Sequence, residues 1–193
     1  MTAKNLEVQN FLMHRRSHLA ATLIEPAPQG AELVQILQMA GRVPDHGKLA
    51  PWRFVVYADE ARAQAGEVLV RLLESRGEVV EGNKRSVELE RFLRAPLVVG
   101  VISAPARGHK VPVWEQELCV GAVCVSLLNA ASSLGYAGQW LSEWYCHDEE
   151  ANRLLGASEG ERFAGFVHLG SASVTPKERP RPDILEKTSY WTS

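Results

Sequence analysis

The sequence predicts a single-domain sandwich of helices and strands, and three observations carry that prediction. Helical and extended patterns alternate along the chain. One extended stretch, Leu97-Val98-Val99-Gly100-Val101-Ile102, is apolar without a break and of strand length, as a central strand covered on both faces would be. The longest helical pattern, 113–134, is apolar on nearly every side through Leu118, Val120, Val123, Val125, Leu127 and Leu128, so it must be covered all round. A chain of 193 residues is long enough to bury a core, and no internal repeat, low-complexity block or interdomain linker divides it.

The elements follow in order. Residues 5–13 carry Leu6, Phe11, Leu12 and Met13, a short amphipathic helix ending at an arginine pair. The loop Glu25-Pro26-Ala27-Pro28-Gln29-Gly30 precedes a second helix, with Leu33, Val34, Ile36, Leu37 and Ala40 at helical spacing and Gly41 and Pro44 as its stop. Residues 52–58 read as a strand. Asp59 then reads as an N-cap, worth about 1 kcal/mol against alanine, for a helix reaching Arg76. A polar, exposed helix over 83–94 ends at Ala95-Pro96, before the apolar strand. After the long helix Gly135 closes it, and 136–141 is a strand or an extended loop. Asp148 caps a short helix through Leu155, 162–169 is a last strand, and 171–193 is a tail with few core positions.

Composition removes several classes of function. A hydrophobic fraction of 46% and a charged fraction of 23% are ordinary for a soluble globular protein. A net charge of -2 gives no long-range attraction to DNA or an anionic membrane, so neither nucleic acid nor membrane is expected as a partner. The first residues, MTAKNLEVQNFLMHRRSHL, lack the apolar core of a secretory signal. The most apolar stretch, 118–134, is interrupted by Ser126, Asn129, Ser132 and Ser133 and reads as buried in protein. Cys119, Cys124 and Cys146 are odd in number and lack CxxC spacing, which points to reduced thiols and a cytoplasmic location. His14 and His18 are four apart but have no acidic third ligand nearby, so no metal is expected. No GxGxxG, GxxxxGK[ST] or GxSxG appears, which leaves Rossmann, P-loop and hydrolase-elbow readings without their fingerprints.

Four segments carry polar chemistry. Arg15-Arg16-Ser17 sets two guanidinium forks and a hydroxyl where a helix gives way to a loop, a set suited to phosphate oxygens, although the same pair also fits a solvated face. Lys177-Glu178-Arg179-Pro180-Arg181-Pro182 is a second basic cluster, stiffened by proline, that can present Arg179 and Arg181 on one side or remain a solvated tail. PDHGKLAPWRF, from Pro44 to Phe54, is a short polar loop with His46 and Lys48 around a glycine, running straight into a strand. Gly138-Gln139-Trp140-Leu141-Ser142 offers close backbone approach, a flat ring and a hydroxyl, with burial of Trp140 in the core as the plainer alternative.

In this order, RRS near residue 15, the EPAP loop, PDHGKLAPWRF, the HKVPVWEQE start of the long helix and GYAGQW resemble the FMN-dependent nitroreductase family, over about residues 8–170. The closest likeness is to its small bacterial members. The resemblance implies an α+β fold, a three-layer α-β-α sandwich forming an intertwined homodimer, with residues 1–193 as one FMN-binding domain and 171–193 as its tail. It implies FMN at each subunit interface, NAD(P)H as electron donor and a small-molecule electron acceptor. By position, Arg15, Arg16 and Ser17 would hold the FMN phosphate and ribityl chain, and the partner subunit's His46 would contact the flavin. Ala50 stands where some relatives carry a polar flavin contact. Trp140, Leu141 and Ser142 would line the cofactor, and Arg179 or Arg181 would complete the phosphate site. Residues 131–136 resemble a stretch that meets the nicotinamide nucleotide. Leu19 and Ala20 depart from the pattern, standing where larger relatives often carry a basic residue near the flavin pyrimidine. That makes Arg16 the candidate to stabilise charge at the N1/O2 edge. The function implied is a ping-pong oxidoreductase acting on nitroaromatics, quinones or similar acceptors; a flavin storage or sensor protein is the alternative.

Overall fold

The computed structural model describes residues 3–192, so residues 1, 2 and 193 of the expected domain lie outside the described residues. Helix α1 (Leu6–His14) starts where the Asn5 side chain accepts the Val8 amide, and α2 (Gly30–Ala40) stops at Gly41. Strand β1 (Leu23–Ile24) lies between them. Strand β2 (Trp52–Tyr57) leads into α3 (Glu60–Ser75) and α4 (Gly82–Glu90), followed by β3 (Leu97–Ser103) and the 21-residue α5 (Val113–Ser133). The chain closes with β4 (Ala137–Leu141), α6 (Trp144–His147), α7 (Glu149–Leu154) and β5 (Arg162–Ala172).

All strand pairs are antiparallel. β5 holds the sheet together, pairing with β3, β4 and β1, while β3 also pairs with β2. Every residue of β3 is buried, as its unbroken apolar run requires. Its side chains alternate between two cores. Val98 and Ile102 join Leu69, Phe92, Tyr145 and Phe166 beneath α3, α6 and α7, whereas Leu97, Val99 and Val101 join Ile36, Val123, Leu127 and Val167 beneath α2 and α5. The result is the three-layer α-β-α sandwich. Its antiparallel strands make it α+β, so alternation of helix and strand in sequence did not signal parallel pairing. No helix among the described residues is long and apolar enough to cross a membrane.

Several boundaries differ from the sequence reading, each for a local reason. Asp59 precedes α3, but its backbone is left-handed (φ 48°) and its side chain caps nothing, since a capping residue needs extended geometry. α4 ends at Glu90, short of the expected 94; Arg91 just after it, still in helical geometry, pairs with Glu88 and Glu143. β5 runs to Ala172, beyond the expected 169, because β1 offers it partners at Ser171 and Ala172. The short α6 and β1 carry no periodic signal of their own. Asp148 caps α7 as expected, accepting the Ala151 amide at 2.9 Å.

Gly100 sits where a side chain has no room: a β-carbon there would lie 2.5 Å from the Phe163 ring and 3.3 Å from that of Phe166. Gly100→Ala therefore overpacks a full core and should cost about 1–3 kcal/mol, read as a lower urea midpoint with unchanged slope.

Candidate functional site

The Arg15–Ser17 turn is docked on β4 through the residues that follow it. The His18 amide donates to Gly138 O (3.0 Å) and the Ala20 amide to Gln139 Oε1 (2.6 Å). These two bonds lay the segment beside the strand that bears Trp140 and Leu141, with Ser142 just beyond its end. Arg15 and Arg16 are half-buried and Ser17 is exposed. The Arg15 side chain has no ion-pair or hydrogen-bond partner among the described residues, although its amide closes α1 on Phe11 O. Arg16 Nη1 pairs with Glu178 Oε2 at 2.9 Å, and this buried nitrogen has no other partner among the described residues. Close by, burial first and the Arg16 charge second hold the His18 imidazole below its ordinary pKa, and its buried Nδ1 has no partner.

Trp140 is seated by a bulge in β5. Ala164 is the extra residue where the β3–β5 register shifts between Val101 and Ile102, so its carbonyl is free to accept the indole N–H of Trp140 (3.2 Å). Gly165 beside it has φ 153°, and any β-carbon there would overlap the indole. The ring stays 37% exposed, which sets aside the core alternative for Trp140.

Immediately after Ser142, Glu143 anchors this end of β4. Its carboxylate takes Arg91 Nη1 (2.6 Å) and Arg94 Nη1 and Nη2 (2.8 and 3.1 Å), while Arg91 also forks onto Glu88. His168 lies fully buried under the same turn, with Nε2 3.2 Å from Arg91 O. Sequence reasoning missed this network because its members are scattered over about 80 residues.

The 44–54 loop is organised by Asp45. Its carboxylate accepts the amides of Leu49 (3.1 Å) and Ala50 (2.8 Å), holding Gly47, Lys48 and Ala50 at positive φ. Lys48 and Ala50 occupy a region that costs a residue with a β-carbon about 1 kcal/mol or more. The His46 imidazole donates from Nδ1 to Glu115 Oε2 (2.7 Å), leaving Nε2 outward. No hydrogen bond or ion pair joins this loop to Arg15–Ser17 among the described residues. Glu115 also lies about 20 Å along α5 from Leu128, the residue beneath Gly138. One chain therefore docks the segment that follows Arg15–Ser17 on Gly138 and Gln139, next in sequence to Trp140–Ser142, while no bond links His46 or Ala50 to that segment among the described residues.

The C-terminal arginines differ from each other. Arg181 Nη2 is 3.6 Å from Glu178 Oε1, so it reaches the Arg16 side of the molecule, whereas Arg179 contributes its backbone amide to Glu178 Oε1 (3.0 Å). Glu178 is thus a common partner of Arg16 and Arg181 that sequence reasoning did not single out. At the end of α5, Tyr136 OH donates to Glu32 Oε2 (2.7 Å), bracing the 131–136 turn against α2.

The profile of the Nitroreductase family matches residues 12–171. A protein of Escherichia coli (strain K12) named "Putative NAD(P)H nitroreductase YdjA" is 32% identical over 172 residues, covering 88% of this chain and 90% of that protein. The crystal structure of a nitroreductase-like family protein from Bacillus cereus superposes with a TM-score of 0.79 at 22% identity over 98% of both chains. That of NfnB from sphigopyxis sp. strain HMH, titled an FMN and NADPH-dependent nitroreductase, does so at 0.71 and 17% identity, over 94% of this chain and 97% of its own.

The buried ionisable groups behind Trp140–Ser142 make stability pH-dependent. Burial lowers the His168 pKa from 6.5, so its stabilising neutral form is retained above about pH 6.5 and lost as pH falls toward the lowered folded value. Burial alone would raise the Glu143 carboxyl, but Arg94 and Arg91 outweigh it and hold it below 4.5, so its contribution is lost only on further acidification. Urea midpoints should therefore decline in two stages as pH is lowered, with His168→Gln removing the first and Glu143→Gln blunting the second.

Proposed function

The chain belongs to the nitroreductase family, and we propose that it is an FMN-dependent NAD(P)H oxidoreductase working as a cytoplasmic homodimer, with residues 1–193 as one FMN-binding domain. The observation that carries this reading is the half-buried Arg15–Arg16 pair. Arg15 has no anionic partner among the described residues, and the only anion facing buried Arg16 Nη1 is the largely exposed Glu178 carboxylate. Half-buried guanidinium donors so incompletely matched call for a further anion, and a phosphate monoester can accept from such forks and from the Ser17 hydroxyl. The residues present therefore fit the phosphate end of FMN. Trp140, Leu141 and Ser142 would line the ribityl chain or ring.

Bound FMN supplies the redox chemistry, taking hydride from NAD(P)H and passing it to a nitroaromatic, quinone or similar acceptor in a ping-pong cycle. The chain's own residues bind and orient it. Leu19 is 67% exposed and carries no charge to the pyrimidine edge. Arg16 is the proposed cation for that edge, with Glu178 balancing part of its charge.

The homodimer reading rests on two further features. Trp114, Leu118 and Val125 are exposed on α5, with Gly121 between them opening onto empty space, so the helix that must be covered all round is covered on one side only. Exposed Leu12 and Met13 on α1 and Ile184, Leu185, Tyr190 and Trp191 on the tail add to the uncovered apolar surface. A second copy would cover these and bring the partner subunit's His46 to the site that one chain leaves incomplete. Nicotinamide binding at 131–136 belongs to the same proposal.

Micromolar FMN affinity requires about 8 kcal/mol, of which two or three charge-assisted hydrogen bonds supply roughly half. Ring burial between subunits provides the remainder. Leu118→Glu is accordingly expected to separate the subunits and release FMN together, as seen by gel filtration with absorbance detection; monomers that keep stoichiometric flavin would refute the coupling. The oxidoreductase itself is tested by the visible spectrum of purified protein before and after anaerobic NADH or NADPH. Flavin bands that bleach are expected. Bands that persist would favour flavin storage or sensing, and a colourless protein that cannot be reconstituted would overturn the reading.

A further inference from the structure

The tail beyond β5 is tied to the rest of the protein at two points. Ser173 bonds to Thr22 O through its amide (3.0 Å) and hydroxyl (2.7 Å). Beyond it, among the described residues, the Arg16–Glu178 contact is the only ion pair or hydrogen bond from the tail to the body of the chain. Glu178 does more than anchor. One carboxylate oxygen faces Arg16 Nη1, and the other takes the Arg179 amide and faces Arg181 Nη2. Those bonds, the Arg179 amide first, also keep the carboxyl ionised below its ordinary pKa. Pro176, Pro180 and Pro182 restrict the backbone around it, so where Glu178 is held, Arg181 follows.

From this arrangement we infer that Glu178 is a positioning residue of the phosphate site, a carboxylate hub that carries the Arg181 guanidinium across to the Arg15–Ser17 turn. The inference rests on the flavin site proposed above. Its charge balance is coherent: Arg15, Arg16 and Arg181 against one Glu178 leave two positive charges, matching a phosphate monoester of about -1.5 to -2 at neutral pH. Glu178 is largely exposed, so the ion pair itself is a weak tether, and its role is geometric.

The test compares FMN with riboflavin, which lacks the phosphate, by fluorescence quenching on the full-length protein freed of flavin. Glu178→Gln should weaken FMN about tenfold and leave riboflavin unchanged, while Glu178→Asp restores most of the loss. Arg181→Gln should give a similar loss, and the double variant should be little worse than either single one. Equal losses for both flavins would make Glu178 a merely structural anchor, and unchanged or tighter FMN binding would make it a bystander or a competitor of the phosphate; each overturns the inference. Wild-type protein that takes up neither flavin would overturn the flavin site itself, and the hub with it.

Discussion

The rest of the structure hangs on the pairing of β5 with three other strands. An eleven-residue strand in the middle of a sheet must have its amides and carbonyls satisfied along both edges. β3 takes one edge and is thereby buried between two helical layers. β4 takes the other and carries Trp140–Ser142 with it. β1 takes the last two residues, and through Thr22 the adjoining segment fixes the point where the tail begins. Each part of the candidate site except the 44–54 loop is thus located by reference to a single strand.

That strand is irregular where Trp140 is seated. The bulge at Ala164 lifts a carbonyl out of the ladder, Gly165 removes the β-carbon that would block the indole, and Trp140 settles there with its face still open. Behind it, Glu143 collects two arginines from the turn after α4, so the end of β4 is held by charge as well as by the ladder. The 44–54 loop is built on the same logic. A single carboxylate, Asp45, restrains a run of left-handed residues that would otherwise relax. In all three places a local departure from regular geometry is kept in place by a specific polar partner.

Charge is distributed unevenly around these features. Most ion pairs are exposed and contribute little to stability, but the arginines at residues 15 and 16 sit where solvent is partly excluded. Leaving a half-buried guanidinium without an anion costs more than exposing it, and here Arg15 has none while Arg16 has only the largely exposed Glu178. The exposed apolar stripe on α5 presents the same problem in apolar terms: surface that water solvates poorly and that the chain itself does not cover.

The sequence by itself determined most of the secondary structure and singled out the arginine pair proposed for the phosphate, because those signals are local. The unbroken apolar run of β3, the spacing in α2 and α5, the Asp148 cap and the guanidinium forks of Arg15 and Arg16 each depend on residues within a turn or two of one another. Only the tertiary structure decided the antiparallel pairing, the bulge under Trp140, the failure of Asp59 to cap, the Glu143 network and the meeting of Arg16 with Glu178 across 162 positions. These depend on which segments become neighbours, and no single segment encodes that. Neighbourhood is set by how the apolar faces of β3, β5 and α5 stack, which is a property of the folded chain as a whole.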